Sequence, residues 1–228
     1  SFKKGNEPNF RYFESDDAII PYSLYDTILL TLYYNLQSTM EFFVNEAGLD
    51  LSKGIDGKPF GVMDILFELD YVYFVTNEQT MKMKDNAMYY PPLNSLGFLK
   101  QDRLKHLELV ANPMIVAHEF AHSIFAYLAT DRYHNNEYIV SLLSNSYKDC
   151  SSEFYSAALN EGFSDYWSAQ KTKSPDLIYI SISKEELGAD IYEEYERHLN
   201  NNRVLTSNML VDKCDSINNV NVSYYSAG

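Results

Sequence analysis

Basic residues are scarce in this chain of 228 residues: 18 Lys and Arg stand against 32 Asp and Glu, which gives a formal net charge of −14. Such a surplus of negative charge repels the phosphates of nucleic acids and anionic membrane surfaces. We therefore expect neither as a binding partner. Long apolar runs are also lacking, because the longest, Val62 to Val75, is interrupted by Asp64, Glu68 and Asp70. We expect no membrane-spanning helix.

Cysteine is nearly absent, with only Cys150 and Cys214 in the chain. These two can form one disulfide in an oxidising compartment or remain two free thiols. No Cys-x-x-Cys spacing occurs, so we expect neither to bind zinc. The first ten residues, SFKKGNEPNF, lack the apolar core of a signal peptide. If the protein is secreted, its targeting segment lies outside this sequence.

The residues that are present predict a folded α+β protein. Hydrophobic residues make up 46% of the chain and aromatic residues 15%, which is typical of a globular core. Apolar residues recur at three- and four-residue steps after Pro21, and Gly48 stands where a helix would end. Strand-like sequence follows at Tyr71–Val75, and Phe98–Leu99 is expected to form a short strand.

The stretch Asn112–Thr130 carries the clearest chemistry. Asn112 suits a helix N-cap and Pro113 the first helical position. Inside this predicted helix, His118-Glu119-Phe120-Ala121-His122 is an H-E-x-x-H motif. Histidines four residues apart share one helix face and can bind one Zn²⁺, while Glu119 can take a proton from the attacking water.

A second segment, Asn160-Glu161-Gly162-Phe163-Ser164-Asp165, can complete such a site. We expect it to lie in a helix from Glu153 to Gln170. Glu161 and Asp165 are four residues apart and share one face of that helix. A site with two histidines needs a third ligand, which Glu161 can supply. Asp165 can accept the remaining ring N–H of a ligating histidine and so fix its orientation.

These two motifs together resemble the thermolysin-like zinc peptidases of the gluzincin group. Asp16-Asp17-Ala18, followed by the long helix that begins at Pro21, is similar to the helix that precedes the active-site sheet of that family. Asn86-Ala87 is similar to the pair on the family's substrate-binding edge strand. The resemblance covers roughly residues 16–169.

The family's fold implies an N-terminal mixed β/α lobe at residues 1–111, which carries the edge strand. It also implies a mainly helical lobe at 112–228, with the zinc site in the cleft between the lobes. The function implied is a secreted, zinc-dependent endopeptidase that hydrolyses internal peptide bonds of a peptide or protein substrate.

The resemblance also implies residue roles. One Zn²⁺ would be bound by His118, His122 and Glu161, and the general base would be Glu119. Support behind the ligands would come from Asp165, as the partner of His118, and from Asn160. The residues implied to contact substrate are Asn86 and Ala87 for its backbone, and Leu109 and Ile115 for an apolar pocket, although plain core packing explains Leu109 equally well.

Three departures from the family stand out. The segment 123–160 between the second histidine and Glu161 is longer than in the family, and its extra length lies around Arg132–Ser151. The family's helper tyrosine is not fixed by this sequence, and the candidates are Tyr133, Tyr147 and Tyr155, with the last two favoured. Calcium is not predicted, because Met114 stands where the family has an acidic residue.

The family's late histidine, which donates to the oxyanion of the transition state, has no clear counterpart. His198 is the only histidine after Glu161, and Asn218–Ser226 has Asn where His is expected. Either residue could substitute, the true donor could lie beyond Gly228, or activity could be reduced. The family usually continues into a longer helical domain, so the resemblance implies that this chain is a fragment or a compact variant.

Two other functions remain open at this point. One is a zinc aminopeptidase of the same superfamily, because Leu159–Phe163 also suits that group. Against it stand the long histidine-to-glutamate spacing and the lack of a Gly-Ala-Met-Glu-Asn string. The other is a zinc-binding module without catalysis, which the missing late histidine favours and the intact Glu119 opposes. The oligomeric state is not predicted.

Overall fold

The structure is a computed structural model, and it describes residues 12–15, 18–52, 60–70, 72–75, 80–83, 85–101, 107–129, 152–176 and 181. Within these residues the fold is a mixed α+β arrangement of three helices and short strands. The α+β prediction is confirmed at this level.

The first helix, α1, spans Leu24–Asn45. Its N-cap is Ser23, whose Oγ accepts a hydrogen bond from the backbone N–H of Asp26 at 3.2 Å. The helix is followed by Gly48 with a φ of 73°, a left-handed conformation that glycine adopts without steric cost. The helix ends at Asn45, three residues before Gly48, so the prediction places its end slightly too late. The predicted start at Pro21 is wrong, because Pro21 is the last residue of a strand and Ser23 offers the better cap.

Seven short strands form three small sheets in the described part of the chain. Strands β1 (Tyr12–Ser15) and β2 (Ala18–Pro21) pair antiparallel. Strand β3 (Asp64–Leu69) precedes β4 (Val72–Val75) and β5 (Thr80–Met83), and the last two also pair antiparallel. The β4 strand confirms the prediction at Tyr71–Val75, apart from its first residue.

The three-stranded sheet contacts the helix that contains His118 and His122. Strands β6 (Ala87–Tyr90) and β7 (Ser95–Leu99) are joined through a 3₁₀ turn at Pro91–Leu93. The order is β3-β7-β6, with β3 parallel and β6 antiparallel to β7. Strand β7 is buried along its whole length, as expected for a central strand, and β6 is at the edge of the sheet as described.

The second helix, α2, spans Pro113–Ala129 and follows a 3₁₀ turn at Leu109–Ala111. Asn112 Oδ1 accepts the backbone N–H of Met114 at 3.0 Å, which confirms the predicted N-cap. Residues 114–126 of this helix are all buried. It therefore lies at the centre of the described structure and contacts α1, β6 and the third helix.

The third helix, α3, spans Ser152–Thr172 and packs along α2. Its buried polar residues recur at the spacing of one helix face, namely Glu161, Ser164, Asp165 and Ser168. Serine side chains are small, so this face can approach α2 closely. The start of α3 agrees with the prediction, and its end lies two residues beyond Gln170.

Aromatic rings join the three helices. Phe43 of α1 lies 5.7 Å from Phe120 of α2 and 5.7 Å from Trp167 of α3, measured between ring centroids. Phe163 of α3 packs edge-on against Phe125 of α2 at 5.5 Å. Such contacts fix the rotation of α3 about its axis, and hence the direction in which Glu161 and Asp165 point.

One cluster of buried apolar residues draws on both predicted lobes, since it includes Leu32 and Leu96 as well as Val116 and Ile124. The division at residue 111 stays a prediction. None of the described helices has the length and apolar character needed to cross a membrane.

Candidate metal centre

Three residues of α2 form a group that could hold a metal ion. The ligand atoms of His118, Glu119 and His122 all lie within 4.8 Å of one another. The two histidines meet because they are one helical turn apart, and their Nε2 atoms are 2.9 Å apart. All three side chains are buried, with exposed fractions of 3%, 7% and 8%.

Glu161 of α3 closes this group from the opposite helix. Its Oε2 lies 3.4 Å from His118 Nε2, and its Oε1 lies 3.5 Å from His122 Nε2. Both carboxylate oxygens therefore face the two ring nitrogens that the histidines turn toward each other. The structure brings the predicted ligands together from two helices, as the sequence spacing required.

A carboxylate lies close to the far side of the His118 ring. His118 Nδ1 lies 2.8 Å from Asp165 Oδ1, and both side chains are almost fully buried. A ring N–H donated to this carboxylate leaves Nε2 with its lone pair toward the centre. Asp165 therefore lies close enough to pair with His118, and its role as a support for that ring stays a prediction.

The far side of the His122 ring has two partners on α3. Asn160 Oδ1 and Ser164 Oγ each lie 3.0 Å from His122 Nδ1. Asn160 was among the predicted supporting residues, but the contact of Ser164 was not foreseen. The signal was available in the spacing, because Ser164 is three residues after Glu161 and so on the same helix face.

The donor set has the chemistry of a metal site. Two imidazole nitrogens and a carboxylate point at one small volume, and each histidine has a second polar contact behind it. Burying Glu119, Glu161 and Asp165 together is costly unless positive charge lies among them. A divalent cation placed between Glu161 and the two Nε2 atoms would supply that charge.

The predicted substrate-binding pair lies at the start of β6. Ala87 is the first residue of that strand, and Asn86 precedes it. Asn86 Oδ1 accepts the Ala87 backbone N–H at 3.0 Å, and Asn86 C=O accepts the backbone N–H of Leu99 at 2.9 Å. Since hydrogen-bonded pairs alternate in an antiparallel ladder, the backbone groups of Ala87 and Tyr89 point away from β7.

The two residues expected to line an apolar pocket are deeply buried. Leu109 is 3% exposed and Ile115 is 5% exposed, and both belong to the main core cluster. Core packing accounts for this burial, so their role in a substrate pocket stays a prediction.

Several predicted residues lie outside the described part of the chain or have undescribed side chains. Tyr133, Tyr147, His198, Cys150, Cys214, and the segments 131–151 and 218–226 belong to the first group. Tyr155 lies within α3, but the placement of its side chain is not described. The identity of a transition-state helper, the disulfide and the role of the long connector stay predictions.

A cavity of about 260 Å³ lies near the C-terminal end of β7. It is lined by Phe67, Glu68, Phe98, Leu99, Lys100, Gln101, Glu108 and Val110. Burial raises the pKa of the Glu108 carboxyl, and the negative charge of Glu68 raises it further. None of the metal-site side chains is part of this lining, so the cavity is distinct from the metal centre.

No protein-family model matches the chain, and a search of curated proteins found no match. Any assignment of function therefore depends on the residues described above.

Proposed function

We propose that this protein is a zinc-dependent endopeptidase that resembles the thermolysin-like peptidases. The observation that carries the proposal is the meeting of His118, His122 and Glu161 around one point, with Glu119 beside them. This arrangement combines two imidazoles, one carboxylate ligand and one further carboxylate that can act as a base. The second carboxylate favours catalysis over a purely structural zinc, because a general base is needed only where a water molecule is activated.

The donor distances are compatible with zinc as the metal. Bonds of about 2.0–2.1 Å at tetrahedral angles place ligand atoms roughly 3.3 Å apart. The distances of 2.9, 3.4 and 3.5 Å among the two Nε2 atoms and the Glu161 oxygens lie around that value. Three protein ligands leave a fourth position open, which is typical of catalytic zinc sites and not of structural ones.

The edge strand supports an extended peptide as the substrate. Strand β6 contacts α2, which carries the metal-site residues. Strand β6 lies at the edge of its three-stranded sheet in the described structure, and an edge strand is a position where a peptide can add as a further strand. The family's arrangement of two lobes, with the site in the cleft between them, is part of this proposal, as is a secreted location.

Each residue of the site has a separate chemical role in this proposal. A bound zinc ion would lower the pKa of a water molecule toward about 7 and polarise the scissile carbonyl. Glu119 takes the proton from the attacking water and returns it to the leaving amine as the peptide bond breaks. Asp165 keeps His118 in one orientation throughout, and Asn160 and Ser164 do the same for His122. Burial of Glu119 limits access of bulk water to the proton that it carries.

The replacement Glu119→Gln tests the proposal. We expect it to lower kcat for cleavage of an amino-blocked peptide by about 10²–10⁴-fold, the range of general acid–base catalysis. Zinc content, measured by atomic absorption, should stay at the wild-type value, because the ligands in this proposal are His118, His122 and Glu161 and the role of Glu119 is that of the base. The matched replacement Glu161→Gln should instead lower zinc affinity.

Three results would contradict the endopeptidase proposal. Undiminished cleavage by the Glu119→Gln protein would exclude Glu119 as the base. Hydrolysis of free-amine aminoacyl substrates alone, with blocked peptides untouched, would favour the aminopeptidase. A zinc-loaded wild type that cleaves no unstructured protein, with or without a chelator, would favour the non-catalytic module.

A further inference from the structure

A chain of buried polar contacts holds the N-terminal end of α2, six residues before His118. Asn112 is fully buried, and its side chain makes two hydrogen bonds. Its Oδ1 accepts the backbone N–H of Met114 at 3.0 Å, and its Nδ2 donates to Ser181 Oγ at 2.9 Å. Ser181 is also fully buried. The segment that follows α3 is thereby bonded to the residue that begins α2.

The backbone around Asn112 is held as tightly as its side chain. The Asn112 N–H donates to the carbonyl oxygens of Glu108 and Leu109, both at 3.1 Å, and its own carbonyl accepts the Val116 N–H at 3.1 Å. One residue earlier, the Ala111 carbonyl accepts a hydrogen bond from Asn35 Nδ2 of α1 at 3.2 Å. Directional bonds from α1 and from the segment after α3 thus meet at this one helix end.

Such bonds matter because apolar packing alone does not fix how far a helix is shifted along its axis. The hydrophobic contacts of α2 are non-directional, whereas hydrogen bonds weaken steeply with distance and angle. At 1.5 Å per residue, Asn112 lies about 9 Å along the axis from His118. An axial shift of α2 would move both histidines relative to Glu161 on α3, and metal sites tolerate only about 0.2 Å.

We propose that Asn112 and Ser181 are positioning residues of the metal centre. The hydrogen bond between them connects the start of α2 to a residue that follows α3 in the sequence. The metal centre connects α2 to Glu161 of α3. Ser181 lies nine residues after Thr172, the last residue of α3, so its bond to Asn112 holds the axial position of α2 from a second point, separate from the contacts of α3 itself. The inference rests on the proposed function only as far as zinc binding by His118, His122 and Glu161.

The replacements Asn112→Ser and Ser181→Ala separate this role from helix capping. Serine is a good N-cap, so Asn112→Ser keeps the bond to the start of α2 but is too short to reach Ser181. Ser181→Ala leaves Asn112 intact and removes only its acceptor. We expect each variant to bind zinc about tenfold more weakly than the wild type, the lower end of the range for residues behind a ligand.

A double-mutant cycle and a spectrum complete the experiment. Because both replacements break the same bond, the double variant should bind zinc no more weakly than either single one. The visible spectrum of the Co²⁺-loaded protein, which reports ligand geometry, should shift in both. The control is Leu29→Ala, which removes a buried side chain of α1 outside the main core cluster. It should lower the Tm while leaving zinc affinity and the Co²⁺ spectrum unchanged at 25 °C.

The outcomes are distinguishable from those of the proposed function. A wild type that binds zinc while both variants bind it equally well, with an unshifted Co²⁺ spectrum, would overturn the positioning role alone. Weaker zinc binding in the Leu29→Ala control of the same size as in the variants would also overturn it. A wild type that binds no zinc would overturn both the positioning role and the proposed function.

Discussion

At the scale of single residues, the candidate site depends on which ring nitrogen each histidine presents. His118 and His122 both turn Nε2 toward Glu161 of α3. Their Nδ1 atoms lie close to other side chains of the same helix, Asp165 for His118 and Asn160 for His122. A ligating histidine commonly donates its second ring N–H to a carboxylate or amide oxygen, which fixes its orientation and raises its basicity as a ligand. Asp165 and Asn160 have this position here, and Ser164 adds a second contact to His122.

The replacement Asp165→Asn tests this support at His118. An amide is nearly the same size as a carboxylate but cannot supply its charge, so we expect zinc affinity to fall by about 10–100-fold. Competition with a chromophoric chelator measures the affinity. Asp64→Asn is the matched control, because Asp64 is exposed on β3 and distant in sequence from every ligand. Equal zinc affinity in the two variants would contradict a role for Asp165.

Much of the site at this scale was readable from local spacing. The intervals between His118 and His122, and between Glu161 and Asp165, each place two side chains on one helix face. The bond between Asn35 and Ala111 joins residues that are distant in the chain, as does the bond between Asn112 and Ser181. No periodic pattern predicts such contacts, because they depend on how the helices pack.

At the scale of elements, α3 must be held in one rotation for Glu161 to face α2. One side chain that holds it is Phe43 of α1, which is 1% exposed and contacts the rings of Phe42, Phe120 and Trp167. These contacts bring all three helices to one point. Trp167 is also the only tryptophan of the chain, so its fluorescence reports directly on the packing of α3.

Phe43→Ala should destabilise the protein by about 3–5 kcal/mol, because it removes a large buried ring and leaves a cavity. Urea unfolding followed by the fluorescence of Trp167 measures the change. Tyr34→Ala on the same helix is the control, since Tyr34 is 70% exposed and such surface changes stay within about 0.5 kcal/mol. A similar effect of both replacements would show that Phe43 does not join the helices.

The elements also show where sequence reasoning fails. Helix α2 was predicted with its cap because Asn112 and Pro113 are strong and mutually consistent signals. Strands β1 and β2 were not predicted from the sequence. Two strands of four residues each offer too short a pattern to recognise. The sequence offers two possible starts for α1, at Pro21 and at Ser23. The helix begins after Ser23, because its side chain accepts a hydrogen bond from the first turn.

At the scale of the whole molecule, the proposed metal centre is also a cross-link. His118 and His122 belong to α2 and Glu161 belongs to α3, and these helices pack against each other in the described structure. Because the unfolded chain does not hold the three ligands together, zinc binds the folded state and stabilises it. The same residues would therefore serve both stability and catalysis.

Removing zinc should consequently lower the free energy of unfolding. At a free zinc concentration one hundred times the Kd, the loss on adding a chelator is expected to be about 2.7 kcal/mol. Thermal unfolding with and without the chelator measures the effect as a fall in Tm. The Glu161→Ala protein is the control, because its Tm should respond much less to the chelator. An equal response in both proteins would place the stabilising zinc elsewhere.

The most direct test of the metal centre is X-ray absorption spectroscopy at the zinc edge of the zinc-loaded protein. The account predicts one zinc per chain, with two imidazole nitrogens and one or two carboxylate oxygens within about 2.0–2.2 Å. In the His122→Ala protein, the imidazole signal should fall by half or the zinc should be lost. Sulfur ligands near about 2.3 Å, or an all-oxygen shell without imidazole, would contradict it.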